Sequence, residues 1–276
     1  MFPEGTEITT VDAPGARMRA AIHGAGPEVV WIPGGDAAAD YWVEQWERLP
    51  GFRHVCYDPR GVGGTEAGPP PWTIGDYADD CAALIGALCA PPVIVAGLSM
   101  GGLIAQEVAC RHPGLVRLAV PMGTAARIEG FTRDWMRAEI DMRRAGGPPP
   151  PVEFLTCHYA AFAYPAAALA DPDVWARVKA AYAPRFGERD PAMLVAQWEA
   201  CLAYDGRDAL ARCEVPMEVV AFAEDVQTPP AMVRQVAEIA PRARLHEMPG
   251  LGHVSFARHA PDAVADLLRG LLEGAP

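Results

Sequence analysis

Short apolar runs rich in β-branched residues alternate along the chain with longer segments in which apolar residues recur at helical spacing. This alternation is typical of a mainly parallel sheet with helices on both faces. The runs predict these strands: Glu7–Val11, Arg17–Ile22, Val29–Ile32, His54–Tyr57, Val93–Ala96, Leu115–Val120, Met217–Phe222 and Arg244–Met248. The helical spacing predicts these helices: Tyr41–Leu49, Ile74–Cys89, Met100–Arg111, Met232–Ile239 and Pro261–Leu272. The sequence therefore indicates the α/β class, with a doubly wound sheet of about eight strands.

Two regions depart from this alternation. Only Ala13-Pro14-Gly15 separates the first two strands, which predicts an antiparallel hairpin at one edge of the sheet. Between residues 126 and 212 several helical segments follow one another without a strand, and the proline run Pro148–Pro151 interrupts them. We expect residues 126–212 to form a helical cap, inserted into a core made of residues 1–125 and 213–276.

Composition and charge narrow the classes of function. Of the 276 residues, 51% are hydrophobic and 21% are charged, which is the balance of a globular protein rather than a disordered one. The net charge of −12 comes from 35 acidic and 23 basic residues that do not cluster, so nucleic acid and anionic membranes are disfavoured as partners. The seven cysteines form no C-x-x-C pair, which argues against a disulfide framework and against a zinc site.

The sequence pattern predicts neither a signal peptide nor a membrane span. The first residues lack the basic start and apolar run of a signal peptide, and no stretch reaches the roughly 18 apolar residues of a membrane span. We therefore expect a cytoplasmic protein that acts on a small molecule. The sequence leaves open whether the chain forms a homodimer.

The strongest chemical signal is the segment Gly97–Gly101, a G-x-S-x-G motif between a predicted strand and a predicted helix. In a nucleophile elbow the serine occupies a sharp turn that lifts its hydroxyl clear of the sheet. The positions two before and two after the serine must then be small, because strand and helix cross closely there, and both are glycine. Ser99 is therefore the candidate nucleophile, and the competing interpretation is a tight turn whose serine only caps the helix.

A serine hydroxyl needs a base, and the base needs an orienting acid. His253 is the favoured base, because it follows a strand on a glycine-containing loop ahead of the last helix. His246 and His259 are its competitors. Asp225 is the favoured acid on the loop after the preceding strand, with Glu224 as the alternative. We expect Thr228, three residues further on, to cap the helix that follows.

The remaining requirement is a pair of backbone donors that form an oxyanion hole. The N–H of Met100 follows the nucleophile and supplies the first donor. The N–H of Gly35 is the candidate for the second, since a strand ends there in a glycine pair. A plain glycine turn is the alternative. Asp36 either caps the following helix or faces the pocket, where its carboxylate would select against anions or bind a substrate hydroxyl.

These motifs together resemble those of the α/β-hydrolase superfamily. The elbow Gly97–Gly101, Asp225, His253 and the loop Pro33–Asp36 occur in that family's order, and Asp58–Thr65 is similar to its D-x-R-G-x-G-x-S loop. One departure is Pro33, where the family often has histidine. The chain is most similar in general appearance to the capped esterase and lactonase branch, which includes enol-lactonases.

The resemblance implies a serine hydrolase that cleaves a carboxylic ester or lactone through an acyl-enzyme, without a metal or organic cofactor. The same triad would also serve a perhydrolase or a carbon–carbon bond hydrolase. A non-catalytic ligand receptor on the same fold is a further alternative.

Large aromatic side chains concentrate in the predicted cap. They are Trp135, Phe154, Tyr159, Phe162, Tyr164, Trp175, Tyr182 and Trp198. An insertion after the Leu115–Val120 strand lies at the same end of the sheet as Ser99. We therefore expect Trp135, Tyr159 and Phe162 to bind an apolar or aromatic part of the substrate, with packing inside the cap as the alternative.

Overall fold

A mixed, mostly parallel sheet forms the centre of the molecule. The computed structural model describes residues 1–182, 186 and 190–275. The strands in these ranges are Glu7–Ala13 (β1), Ala16–Gly24 (β2), Glu28–Ile32 (β3), Arg53–Tyr57 (β4), Glu66–Ala67 (β5), Val93–Leu98 (β6), Val116–Met122 (β7), Met217–Phe222 (β8) and Ala243–Met248 (β9). The predicted α/β class and doubly wound sheet are confirmed.

The strand order is β1-β2-β4-β3-β6-β7-β8-β9. From β4 to β9 each pair of neighbours is parallel. The hairpin of β1 and β2 is antiparallel and lies at the edge, as predicted. The short β5, which pairs with the start of β2, is absent from the predicted set because two residues carry no alternation pattern.

The helices are Val43–Trp46 (α1), Ile74–Leu88 (α2), Met100–Arg111 (α3), Gly130–Arg144 (α4), Val152–Ala163 (α5), Ala166–Ala170 (α6), Pro172–Tyr182 (α7), Pro191–Ala203 (α8), Arg207–Leu210 (α9), Pro230–Ile239 (α10) and Pro261–Glu273 (α11). Within the described ranges, no helix combines the length and the apolar character that crossing a bilayer requires.

The first predicted helix, Tyr41–Leu49, is shorter than expected. A 3₁₀ turn over Ala39–Trp42 leads into the single turn of α1, and the chain leaves the helix after Trp46. Pro50 follows within four residues and disfavours helical geometry in the residue before it. The indoles of Trp42 and Trp46 are both buried in the core.

The direction of the chain through the sheet reverses between β3 and β6. From β3 the chain passes through α1 to β4 on one side, and it then crosses back through α2 to β6 and continues to β7, β8 and β9. Right-handed crossovers place α1 on the face opposite α2 and α3. Ligands of such sheets bind at the carboxyl ends of the strands where this reversal occurs.

The segment between β7 and β8 is helical. Helices α4 to α9 follow one another there, and no strand lies between β7 and β8 among the described residues. We call residues 126–212 the helical insertion. That it forms a separate cap domain stays a prediction.

Candidate active site

Ser99 lies in a strained turn between β6 and α3. Its backbone has φ 57° and ψ −120°, a conformation that residues with a side chain rarely adopt. The flanking glycines explain how the turn is packed. A Cβ on Gly97 would lie 2.1 Å from the Gly101 carbonyl oxygen, and one on Gly101 would lie 2.2 Å from that of Ile32. Only glycine fits at both positions, so the structure has the elbow geometry that the motif predicts.

Both backbone polar groups of Ser99 make hydrogen bonds within the fold. The N–H of Ser99 donates to the Met122 carbonyl of β7 at 2.9 Å. The Ser99 carbonyl accepts the Thr124 hydroxyl at 3.0 Å and the N–H groups of Gly102 and Leu103. These bonds supply the constraint that keeps a strained backbone in one conformation.

Asp225 and His253 form a buried pair at the ends of β8 and β9. Asp225 Oδ2 lies 2.7 Å from His253 Nδ1, and the two residues are only 4% and 3% exposed. Oδ2 also accepts the Thr228 hydroxyl at 2.8 Å, and Oδ1 accepts the Thr228 N–H at 2.9 Å. Both carboxylate oxygens therefore accept hydrogen bonds, and Oδ2 faces the imidazole.

Thr228 does not cap the following helix, contrary to the prediction. The N-cap of α10 is Pro229, which makes no side-chain capping bond. The hydroxyl of Thr228 donates instead to Asp225 Oδ2, because a buried carboxylate is a strong acceptor. Pro230 at the start of α10 also removes one of the N–H donors that a capping hydroxyl would accept. Thr228 therefore holds the Asp225 carboxylate in its orientation.

The competing residues lie elsewhere. Glu224 is exposed beside the buried acid. His246 pairs with Glu218 at 2.6 Å on β9, away from the serine. His259 bonds to the Ser255 hydroxyl at 2.9 Å, and burial lowers its pKa. Among these candidates, the structure brings only the favoured acid and base together.

The loop after β3 packs directly on the elbow. A Cβ on Gly34 would lie 3.5 Å from the Cβ of Ser99, which places the glycine pair against the serine. Gly35 follows and lines the same cavity as Ser99 and Met100. Met100 is the first residue of α3, so its N–H has no partner within the helix. Gly35 and Met100 thus line the cavity beside Ser99, and their role as oxyanion donors stays a prediction.

Asp36 has a left-handed backbone, with φ 60°. It does not cap the next turn, whose N-cap is Ala38 without a side-chain bond. Asp36 is one of the residues that line the cavity, and a contact of its carboxylate with substrate stays a prediction. Its N–H donates to the side-chain oxygen of Gln197 in α8 at 2.7 Å.

The cavity over Ser99 has a volume of about 130 Å³. The helical insertion covers it with a mainly apolar surface. The insertion residues that line it are Ile128, Thr132, Trp135, Met136, Tyr159, Tyr182, Leu194, Trp198 and Cys201. Two of the three predicted aromatics, Trp135 and Tyr159, are in this set. The third, Phe162, is not among the residues that line the cavity, contrary to the prediction. It packs against Trp135 instead, with ring centroids 5.1 Å apart.

A buried charged cluster holds the aromatic wall of the cavity. Glu139 accepts hydrogen bonds from the Tyr159 hydroxyl at 3.0 Å and from His158 at 2.8 Å, and it pairs with Arg143. Arg143 also donates to the Tyr159 hydroxyl at 2.6 Å and stacks over Trp198. Burial raises the pKa of Tyr159 well above its usual range, so the phenol stays neutral and fixed in place.

Several residues of the site were not found by sequence reasoning. Gln197 and Thr124 have no local motif, and only their contacts in the folded chain identify them. Trp198 was named among the cap aromatics but was not selected as a lining residue, which the structure shows it to be. Thr228 could have been found from its position three residues after the acid. In the part of the chain that the structure describes, no cluster of three His, Cys, Asp or Glu side chains could hold a metal ion.

Comparison with known proteins agrees with this geometry. A family model described as the alpha/beta hydrolase family matches residues 29–267. The chain is 31% identical over 264 residues to a Mycobacterium tuberculosis H37Rv protein named non-heme bromoperoxidase BpoC, covering 88% of this chain and 92% of that protein. It is 30% identical over 261 residues to a protein of Azorhizobium caulinodans named carbamate hydrolase RutD, covering 90% and 92% respectively.

The solved structure of the enol-lactonase from Burkholderia xenovorans LB400 superposes with a TM-score of 0.84 at 25% identity. The match covers 96% of this chain and 100% of that chain. The family model, these relatives and the elbow geometry lead to one conclusion. The chain belongs to the α/β-hydrolase family.

Proposed function

We propose that this hydrolase cleaves a small carboxylic ester or lactone, with Ser99 as nucleophile, His253 as base and Asp225 as orienting acid. The observation that carries the proposal is the buried Asp225–His253 pair, 2.7 Å apart, whose imidazole lines the same cavity as Ser99 in its strained elbow. Such a unit converts a poor hydroxyl nucleophile into an effective one.

The proposed reaction has two stages. His253 takes the proton of Ser99 as its oxygen attacks the carbonyl carbon, and the N–H groups of Gly35 and Met100 stabilise the oxyanion. His253 then protonates the departing alkoxide, and an acyl-enzyme remains. Water, deprotonated by His253, attacks that ester and releases the acid. Protein groups carry every step, so the proposal includes no metal or organic cofactor.

The cavity supports a small and largely uncharged reacting group. Its volume of about 130 Å³ is close to the roughly 150 Å³ of a cavity that holds benzene. The apolar lining from α4 and α8 favours an acyl group or lactone ring without charges. A cytoplasmic location and a single small-molecule partner remain proposals.

The test is labelling with a fluorophosphonate probe followed by mass spectrometry. The chain has only two serines, Ser99 and Ser255, so the labelled peptide identifies the nucleophile. Ser255 is fully buried, and its Oγ accepts the Gly252 N–H at 2.8 Å, which makes it the internal control. We expect labelling of Ser99 alone, and loss of both labelling and p-nitrophenyl ester turnover in Ser99→Ala. Turnover that persists in a pure, folded Ser99→Ala protein would remove Ser99 from the mechanism.

The relative named a bromoperoxidase supports perhydrolysis as a second candidate. Hydrogen peroxide would replace water and attack the acyl-enzyme, which gives a peracid and free Ser99. The peracid would then oxidise bromide. A bromination assay with acetate, hydrogen peroxide and bromide tests this, and Ser99→Ala is the control. Bromination no faster than that of Ser99→Ala, from an enzyme that hydrolyses esters, would exclude it.

A further inference from the structure

The side chain of Gln197 joins the helical insertion to the loop that carries Gly35. We call residues 33–39 the oxyanion loop. Gln197 is in α8 and has no exposed surface. Its Oε1 accepts the Asp36 N–H at 2.7 Å, and its Nε2 donates to the Arg60 carbonyl at 2.8 Å. A buried amide with both ends bonded to backbone groups has one orientation.

The far end of this bridge is anchored to the core. Arg60 makes a two-pronged ion pair with buried Asp80, at 2.6 and 2.8 Å, and also donates to the Pro14 carbonyl. The Arg60 carbonyl is therefore a fixed point. A second contact of α8 lies beside it, because a Cβ on Gly61 would be 3.0 Å from the Cβ of Met193.

The Oε1 end of Gln197 bonds to a turn of the oxyanion loop that can adopt two conformations. The Ala37 N–H donates to the Gly34 carbonyl, which closes a four-residue turn over 34–37. Asp36 is its third residue, and its positive φ is that of a type II turn. Types I and II differ by a flip of the central peptide, which carries the Asp36 N–H. An acceptor bonded to that N–H selects one of the two.

The neighbouring residue closes the other side of the loop. The Trp198 indole nitrogen lies 3.6 Å from where a Cβ on Gly35 would be. Further along, Asp58 Oδ1 accepts the Ala39 N–H at 2.8 Å. The oxyanion loop is therefore held by the core at Ala39 and by α8 at Asp36, one residue from the proposed donor.

We propose that Gln197 is a positioning residue for the oxyanion hole. It holds the 35–36 peptide, which directly follows Gly35, and so limits how far the backbone of Gly35 and its N–H can move relative to Ser99. The helical insertion then sets transition-state stabilisation as well as substrate shape. This inference rests on the proposed function for its catalytic consequence, while its structural consequence can be measured independently.

The kinetic test compares Gln197→Met with Gln45→Met. Methionine keeps the length of the side chain but removes both hydrogen bonds. Gln45 is the matched control, because it is equally buried, donates to the carbonyls of Phe256 and Pro261, and does not line the cavity. Removal of an oxyanion donor costs about 10²–10³ in kcat, so misplacement by Gln197→Met should cost about 10- to 100-fold.

Comparison of substrate and inhibitor affinities distinguishes a positioning role of Gln197 from a general disturbance of the fold. In Gln197→Met, KM should change little, whereas the affinity for a trifluoromethyl ketone, which forms an oxyanion adduct, should fall in parallel with kcat. Gln45→Met should leave the ratio of ketone to substrate affinity unchanged. Equal losses of substrate and ketone affinity in Gln197→Met would overturn the proposal.

A charge variant adds a pH signature. In Gln197→Glu the protonated carboxyl can still accept from Asp36 and donate to Arg60, whereas the ionised form cannot donate and places a negative charge beside the oxyanion. Activity relative to the wild type should therefore rise as the pH falls. A ratio independent of pH would count against the positioning role.

Amide hydrogen exchange tests the loop without any substrate. Peptides covering 33–39 should exchange at least about tenfold faster in Gln197→Met than in Gln45→Met, because the turn loses the acceptor that selects its conformation. Unchanged exchange would overturn the inference whatever the protein hydrolyses. Faster exchange in an enzyme that cleaves no ester would support the structural role and count against the proposed function alone.

Discussion

Replacement of Asp225 by asparagine tests the proposed acid most sharply, because the structure leaves an amide no good orientation. The carboxylate accepts His253 Nδ1–H and the Thr228 hydroxyl at Oδ2, and the Thr228 N–H at Oδ1. An amide NH₂ at the Oδ1 position would face a backbone donor. At the Oδ2 position it would face Nδ1, which must then lose its proton.

The second orientation has a defined catalytic cost. An imidazole that accepts at Nδ1 carries its proton on Nε2 and cannot take one from Ser99. It also loses the negative charge that stabilises the imidazolium. A tautomer change of this kind costs about 10⁴ in kcat, which corresponds to about 5 kcal/mol of transition-state stabilisation.

Substitutions at Thr228 and Glu224, both close to Asp225, should reduce activity by smaller amounts. Thr228→Val removes one donor to the carboxylate but leaves the bond to His253, so it should cost no more than about tenfold. Glu224→Gln changes an exposed side chain and should remain near wild type. The assay is kcat/KM on a p-nitrophenyl ester, with thermal unfolding to show that each variant is folded.

The order of the series decides the assignment. We expect Glu224→Gln to be the most active, Thr228→Val intermediate and Asp225→Asn the least active. An inactive Glu224→Gln, or an Asp225→Asn that keeps more than about a tenth of wild-type activity, would refute the reasoning from the contacts.

Three other results are expected. Trp135→Ala enlarges the cavity, so it should shift preference toward longer acyl chains by about 10- to 100-fold in relative kcat/KM. Phe162→Ala, which changes a residue outside the cavity lining, should cause no such shift. Equal shifts of the two variants in a p-nitrophenyl ester series would contradict the assignment of Trp135 as a lining residue. Gly101→Ala should lower the free energy of unfolding by more than about 3 kcal/mol, because its Cβ would overlap the Ile32 carbonyl. Gly86 lies on α2 with open space around it, so Gly86→Ala should raise the free energy of unfolding slightly. Denaturant titrations measure both. Burial lowers the pKa of His54 from 6.5 to about 4, so the unfolded chain binds the extra proton first as the pH falls. The contribution of His54 to stability should be constant above about pH 6.5 and fall by about 3 kcal/mol toward pH 4. Unfolding titrations of His54→Asn should therefore show a flatter profile than those of the wild type.

The elbow could be predicted from the sequence because its constraint is local. Ser99 needs small neighbours at fixed spacing, and the carbonyl oxygens that exclude a side chain at Gly97 and Gly101 belong to the same strand-turn-helix unit or the strand beside it. The strands were also predictable, since a strand buried on both faces must be a continuous apolar run. The order of the strands in the sheet is not encoded in any single run, and the structure was needed to establish it.

Choices between close alternatives needed the fold. Asp225 and Glu224 are adjacent carboxylates of nearly equal chemistry, and the pattern of residues favours one only weakly. In the structure one is buried against His253 and the other is exposed. Burial is a property of the packed chain, because it depends on residues far away in the sequence.

The sequence by itself therefore determined the class of fold, and it indicated the candidate nucleophile and the order of the candidate catalytic groups, because these are encoded in local spacing. Only the tertiary structure decided which aromatics line the cavity, that Thr228 faces the acid, and that Gln197 bonds to Asp36 from 161 positions away. A contact across such a separation leaves no periodicity or motif in either segment. It forms only when the helical insertion packs over the carboxyl ends of the strands. The contact can therefore be identified only from the folded structure.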